Sequence, residues 1–217
     1  MNYFIIDSMP LSEKKYCFLG DTPRSILNLS YRMARGIAMG KDYPRNPLPE
    51  WHMSPKHKGI KLPSLIANTH SMLVVDRALK EIFENTGVDM ECLPFVLLDH
   101  KGRVASTDYF IINPLGNLDC LNLEKSEIEW LEGPGSEVVG IEMYVLDTEK
   151  VKDAPDVFRI KHDREQIIIS HQLADRMKKV KPTNVYLIDL EQAPPTEQPV
   201  KKTAQVAKMA KTAKSKG

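Results

Sequence analysis

The chain has little of what stabilises small secreted proteins or drives catalysis. Its 217 residues include three cysteines, Cys17, Cys92 and Cys120, and no two of them form a CxxC pair. So sparse and odd-numbered a set argues against a disulfide framework and for a reducing compartment. Two of the three lie in apolar, strand-like runs, where a cysteine behaves as a small buried hydrophobe. There is no GxGxxG, no Walker sequence, no GxSxG elbow and no SxxK, so nucleotide-binding and serine-nucleophile classes lose their usual signatures. Gly133-Pro134-Gly135 reads as a turn, not as a phosphate cradle. No apolar run approaches the roughly 18 to 20 residues that a membrane-spanning helix needs. The N-terminal MNYFIIDSMP reaches Asp7 soon after its apolar start, which suits neither a signal peptide nor an anchor. A cytoplasmic protein without membrane contact is expected.

Metal and nucleophile chemistry are equally thin. Trp51-His52 with His57 supplies two imidazoles but no cysteine or third histidine nearby, whereas zinc takes a fourfold set at recognisable spacing. A loop with a packed tryptophan is the simpler reading. His70, His100, His162 and His171 are scattered, and none sits in a motif with a nucleophile. Cys120 stands beside Asp119, and a neighbouring carboxylate disfavours the thiolate. No catalytic residue, metal or cofactor is expected, and the chain is read as a non-enzyme.

What is present is an ordinary globular composition, 42% hydrophobic and 27% charged, enough for a normal core. The formal charge of +1 conceals an asymmetry. After Gln192 come Lys201, Lys202, Lys208, Lys211, Lys214 and Lys216 against the lone acid Glu197, so the body is mildly acidic and the tail basic. Residues 193–217, rich in Pro, Thr, Ala and Lys, are expected to be a disordered appendage. It could solubilise the chain or attract nucleic acid weakly through its lysines; Val206 and Met209 are too few for a membrane helix.

Length favours one domain. Tyr3–Ile6 and Tyr16–Leu19 read as short strands, and Ser25–Met39 as a helix or a strand pair. Residues 42–63 carry Pro44, Pro47, Pro49, Pro55 and Pro63, too many for helix or central strand. An ordered surface loop packed through Trp51, Met53 and Leu62 is expected. Beyond it lies an internal repeat. With Leu79 aligned to Leu173, an apolar run (Met72–Val75), Asp76, a helix through Leu79 and Phe83 and a strand (Glu91–Asp99) match a second set. That set is Gln166–Ile169, Ser170, a helix through Leu173 and Met177 and a strand (Asn184–Leu190). Asp76 and Ser170 stand where N-caps belong, and the i, i+4 pairs give each helix one apolar stripe. Between the units, Asp99–Arg103 suits a hairpin loop with Gly102 at positive φ. Tyr109–Ile112 reads as a central strand, Asn113–Asn117 as a turn, and Leu118–Leu121, Val138–Leu146 and Val157–Ile160 as further strands. The sum is an α+β fold, a largely antiparallel sheet flanked by a few helices, with residues 1–65 as an N-terminal part and 66–192 as the core.

One segment stands out for function. From Asp119 to Glu137 the chain carries Asp119, Glu124, Glu127, Glu129, Glu132 and Glu137 around Trp130, with Lys125 as the sole base. Such a run is commonly a solvated face. It also has the make-up of a docking patch for a basic partner, in which an aromatic anchors and carboxylates speed association. Asp119, Glu124, Glu127, Glu129, Trp130 and Glu132 are the candidate contacts.

The words Leu93-Pro94, His100-Lys101-Gly102-Arg103, Asp108-Tyr109-Phe110-Ile111-Ile112-Asn113-Pro114 and Leu118-Asp119-Cys120, in this order, resemble the bacterial polymorphic-toxin immunity proteins of family eleven. Val145-Leu146-Asp147, Phe158-Arg159 and the Ile167–Leu190 unit look like that family's C-terminal half, so the resemblance spans roughly Leu62 to Leu190. It implies a small cytoplasmic protein that binds and blocks a cognate toxin encoded beside it, and it carries over no catalytic residue. The alternative is a nucleic-acid-associated accessory protein acting through the lysine tail. The sequence leaves the oligomeric state open.

Overall fold

The computed structural model describes residues 2–8 and 14–194. In chain order the elements are β1 (Tyr3–Ser8), α1 (Ser30–Ala34), β2 (Glu50–His52), β3 (Leu65–Ile66), β4 (Leu73–Asp76) and α2 (Arg77–Glu84). Then come β5 (Met90–Leu98), β6 (Val104–Pro114), β7 (Glu127–Trp130), β8 (Val138–Met143) and β9 (Val145–Asp147). The chain closes with β10 (Val157–Arg159), β11 (Ile167–Ser170), α3 (His171–Lys179), β12 (Val185–Asp189) and β13 (Glu191–Ala193). Two sheets dominate, a five-stranded one in the order β2-β5-β6-β4-β3 and a four-stranded one in the order β10-β11-β1-β12. Only β2 on β5 and β13 on β9 run parallel among the named pairs, so the α+β, largely antiparallel expectation holds. The expected lysine tail lies outside the described residues apart from Ala193 and Pro194, and Ala193 belongs to a strand.

Strands bury both faces here, which is why they read as unbroken apolar runs. Along β4 and β6, Val74, Tyr109 and Ile111 face one apolar cluster with Trp51, Met33 and Tyr43. Their alternates Leu73, Val75, Phe110 and Ile112 face a second cluster, which holds Leu79 and Phe83 of α2 and Leu173, Ala174 and Met177 of α3. The four-stranded sheet closes that second cluster from the other side through Ile6, Val157, Ile167 and Ile169. Its outer face, Tyr3, Ile5, Phe158 and Ile168, meets a third cluster with Cys120, Leu121, Leu146 and Val151. The molecule is therefore layered: N-terminal segment, sheet, two helices, sheet, and a cover drawn from residues 118–154. Each large apolar side chain so enclosed contributes roughly 1.5 to 3 kcal/mol.

The internal repeat is structural. Sheet orders β3-β4-β6-β5 and β10-β11-β1-β12 correspond strand for strand, and both central strands run antiparallel to their two neighbours. The first unit takes its central strand β6 from the next segment of chain, whereas the second takes β1 from the N-terminus. Both predicted caps form: the Asp76 carboxylate accepts from Leu79 N at 3.0 Å and Ser170 Oγ from Leu173 N at 3.1 Å. Gly87 and Lys181, equivalent in the alignment, both take positive φ (70° and 50°) just past their helices.

One alternative is settled and several expectations need revision. Ser25–Met39 is a 3-10 turn at Leu27–Leu29 followed by the short α1, not a strand pair. The proline-rich stretch is more internal than a surface loop: Trp51 is fully buried on β2 and its Nε1 donates to Gly20 O at 3.0 Å, while Leu62 is exposed. Tyr16–Leu19 and Leu118–Leu121 make isolated bridges instead of full strands.

Candidate functional site

The cover segment leaves the body where Asn113 and Pro114 end β6. Leu118 bridges Ile160 and Leu121 bridges Leu146. Asn122 then turns the chain, its Oδ1 accepting from Glu124 N and Lys125 N and its Nδ2 donating to Pro194 O at 2.9 Å. Ser126 Oγ exchanges hydrogen bonds with the Val145 backbone, pinning the start of β7. From there β7 and β8 form a two-stranded hairpin, with Gly133 and Gly135 at positive φ in its turn.

Alternation along β7 decides what the hairpin shows. Glu127 and Glu129 are exposed, whereas Ile128 and Trp130 are half-buried on the opposite face. Ile128 and Ile141 pack on the third apolar cluster. The Trp130 ring meets His162 edge-on with 6.4 Å between centroids. Trp130 thus seats the hairpin on the body, while the outward face carries carboxylates. Among the described residues, Glu124, Glu127, Glu129, Glu132, Glu137 and Glu142 are exposed and in no ion pair. Val139 and Leu131, at 58% and 62% exposure, add apolar surface to the same hairpin.

Asp119 stands apart from that group. Lys150 Nζ lies 2.8 Å and Lys161 Nζ 3.4 Å from its carboxylate. Burial works to raise its pKa, but the hydrogen bonds and charges of these lysines outweigh it and hold the group below its usual range. Of the predicted set, the structure gathers Glu127, Glu129 and Glu132 on one hairpin, leaves Glu124 in the turn that leads into it, turns Trp130 inward and pairs Asp119 with two lysines. Sequence reading missed Glu142, which joins the hairpin's carboxylates only once β8 folds back and pairs the neighbouring Met143 with Glu127.

Beside the hairpin runs a groove of about 700 Å³. Tyr31, Arg35 and Ile37 form one wall, Val138–Ile141 of β8 the other, and Lys161–Glu165 its floor. Arg159, fully buried below, ties α1 on one wall to the end of β6 and to the floor. Its Nη1 donates to Ala34 O (2.7 Å) and Arg164 O (2.8 Å), Nη2 to Met33 O (2.9 Å) and Asn113 Oδ1 (3.5 Å), and Nε to Pro114 O (3.2 Å). Every guanidinium N–H is used, and none of the five acceptors is a carboxylate. Burial lowers this arginine to about 10, against the opposing pull of Glu165. Gly36 (φ 68°) must lack a side chain here, since a Cβ would come within 2.8 Å of Arg159 Cδ and Pro114 O.

The nucleophile candidates among the described residues are poorly set for bond-making. Burial pushes Cys17, Cys92 and Cys120 up to about 12, away from thiolate chemistry. Ser71 Oγ donates to Glu165 at 2.6 Å, but neighbouring His70 turns its Nε2 to Gly20 O. Among the described residues no group of three His, Cys, Asp or Glu could hold a metal ion, and no helix is long and apolar enough to cross a membrane.

No curated protein matches the chain. A sequence model of the immunity protein family (Imm11) matches residues 11–192, beginning far earlier than the Leu62 at which the motif resemblance starts. The match spans the five-stranded sheet, every strand of the four-stranded sheet except β1, the two packed helices and the hairpin, and the chain belongs to the Imm11 immunity protein family.

Proposed function

We propose that the protein neutralises a cognate bacterial toxin in the cytoplasm of the producing cell by stoichiometric binding that occludes the toxin's active cleft. Membership of the immunity family supports toxin binding. The observation that supports the contact surface is the row of unpaired glutamates on the seated β7–β8 hairpin. Carboxylates without internal partners lose no ion pair on docking, and they complement a basic cleft such as that of a nuclease. Their main effect is on the association rate, with affinity residing in a few desolvated anchors; Val139, Leu131 and Tyr31 supply exposed apolar candidates.

Co-purification with the product of the adjacent gene, followed by binding kinetics, tests the proposal. Replacing Glu127, Glu129 and Glu142 by glutamine is expected to slow association about tenfold or more at low salt and little at high salt. Unchanged kinetics would remove the hairpin as the contact, and failure to bind the adjacent product would remove the function. Truncation after Pro194, which spares β13, separates this reading from a nucleic-acid role of the lysines: toxin binding survives it, whereas a tail-borne nucleic-acid affinity does not.

A further inference from the structure

Strand β12 ends the four-stranded sheet without the devices that usually blunt an exposed edge. Its register with β1 runs unbroken from Val185 on Ser8 to Asp189 on Phe4, and it contains no lysine, proline or glycine. Bulges, prolines and lysines are the common protections. The other edges are closed or interrupted. Leu118 bonds along β10, Leu19 and Gly20 cap the end of β2, β3 has two residues, and the β7–β8 ladder is broken by register shifts. Among the described residues, no strand pairs with the outer edge of β12.

The direction of its free backbone groups is fixed by one bond. Leu190 N donates to Tyr3 O at 3.1 Å, extending the β1–β12 register by one pair. Antiparallel ladders alternate hydrogen-bonded with non-hydrogen-bonded pairs. Hence Tyr186 and Ile188 bond to β1, while Val185, Leu187 and Asp189 turn their N–H and C=O groups outward. The side chains of Tyr186 and Ile188 are 46% and 40% exposed and lie outside the cluster that covers that face of the sheet.

We propose that this edge pairs with the same edge of a second copy, antiparallel about a two-fold axis through Leu187, joining the two four-stranded sheets into one. Leu187 then exchanges both backbone bonds with its own counterpart, and Val185 does so with Asp189 of the other copy. Tyr186 falls opposite Ile188 at the non-hydrogen-bonded positions, where side chains are closest and aromatic/β-branched pairs are favourable. The charges agree with this axis. Exposed Lys179 and Lys181 precede the strand, exposed Asp189 ends it and exposed Glu191 follows it, so the two-fold sets each basic end beside the other copy's acidic end. An interface built on one patch must complement itself, and β12 does so in backbone parity, side chains and charge.

Sedimentation of the full chain is expected to show a mass twice 24.6 kDa, falling toward one copy on dilution and at high salt. Leu187→Pro removes an N–H that the sheet does not use, so the variant should keep its far-UV spectrum and sediment as a monomer. Ile188→Lys should weaken the dimer about tenfold, the range of one lost cross-strand pair and added repulsion. Tyr186→Cys and Ile188→Cys, oxidised as an equimolar mixture, should cross-link faster than either variant alone, because only the mixture places two thiols opposite each other. A chain that stays monomeric, whether or not its edge accepts a strand from another protein, overturns the proposal. So does a dimer unchanged in both Leu187→Pro and Ile188→Lys, or cross-linking no faster in the mixture.

Discussion

Arg159→Met removes a fully buried guanidinium while nearly keeping its volume. Four backbone acceptors, Met33 O, Ala34 O, Pro114 O and Arg164 O, lose a donor inside the protein. A buried acceptor left bare costs about 1 to 3 kcal/mol. Part of that sum is offset because the variant no longer desolvates a cation, an effective penalty of several kcal/mol. The balance should resemble the breaking of other buried charge networks, about 3 to 5 kcal/mol. Set against a typical domain stability of about 5 to 15 kcal/mol, that is a large fraction. With a urea m-value of about 2 kcal/mol/M, the unfolding midpoint should fall by roughly 2 M. Arg159→Lys should lie between, since an ammonium is a point donor and cannot span the set that the planar fork reaches. Because two of the acceptors, Met33 O and Ala34 O, belong to α1, amide exchange of residues 30–37 should quicken in the Met variant more than that of β6. A midpoint within about 0.5 M of wild type, taken at an unchanged m-value, would refute the view that Arg159 ties α1 to β6 beneath the groove.

Local chemistry supplies three smaller predictions. Asp76→Ala and Ser170→Ala should each cost about 1 kcal/mol in urea unfolding; Ser170 should cost more, because its Oγ also donates to Asp156, and the reverse order would contradict this. The Asp99 carboxyl is lowered to about 2 by hydrogen bonds from Arg103 N, the Arg103 side chain and Lys101 N. A depressed carboxylate contributes above its ordinary pKa and loses that contribution as pH falls through the folded value. The β5–β6 turn should therefore stay ordered at pH 4 and loosen near 2, and an Asp99 midpoint near the usual 3.8 by NMR would contradict it. Burial lowers His162 below 6.5, against the pull of Asp119. A depressed histidine contributes fully above 6.5 and loses that contribution as pH falls, so Trp130 fluorescence should change below that pH, and a transition above it would contradict the burial.

Legibility in the sequence tracked how local the determining forces were. The strands β1, β4, β6 and β11 stood out because both of their faces are buried, which writes a continuous apolar run into the chain. The two long helices stood out through caps three residues from the amide they serve and through i, i+4 pairs. Residues 14–66 did not, because distant partners organise them: Trp51 is placed by Gly20, and Tyr16, Phe18 and Leu19 by Lys61, Ala67 and Met53. The candidate site was half legible. Its acidic composition is visible in one dimension, but the neutralising Lys150 and Lys161 are remote from Asp119 in sequence. The inward turn of Trp130 follows the alternation of β7, but which face that alternation buries is set by the remote His162 and Ile141.

The position of the hairpin relative to the repeat bears on how binding specificity can change. Both repeat units bury their strands and helices in shared clusters, so substitutions there leave cavities or bare polar groups and cost several kcal/mol. The β7–β8 hairpin belongs to neither unit; it is an excursion of chain between β6 and β10, held by Ile128, Trp130 and Ile141 on one face. Its outward face makes no ion pair among the described residues, so changes at Glu127, Glu129, Glu132 or Glu142 should move stability by less than about 0.5 kcal/mol. Charge and shape on that face can then be rewritten for a different partner without disturbing the scaffold. Trp130→Ala provides the contrast: it should free the whole hairpin, visible as faster exchange across residues 127–143 while β6 stays protected. Equal loss of protection in both would mean that the hairpin is integral to the core, and that its surface is no freer to vary than the sheets.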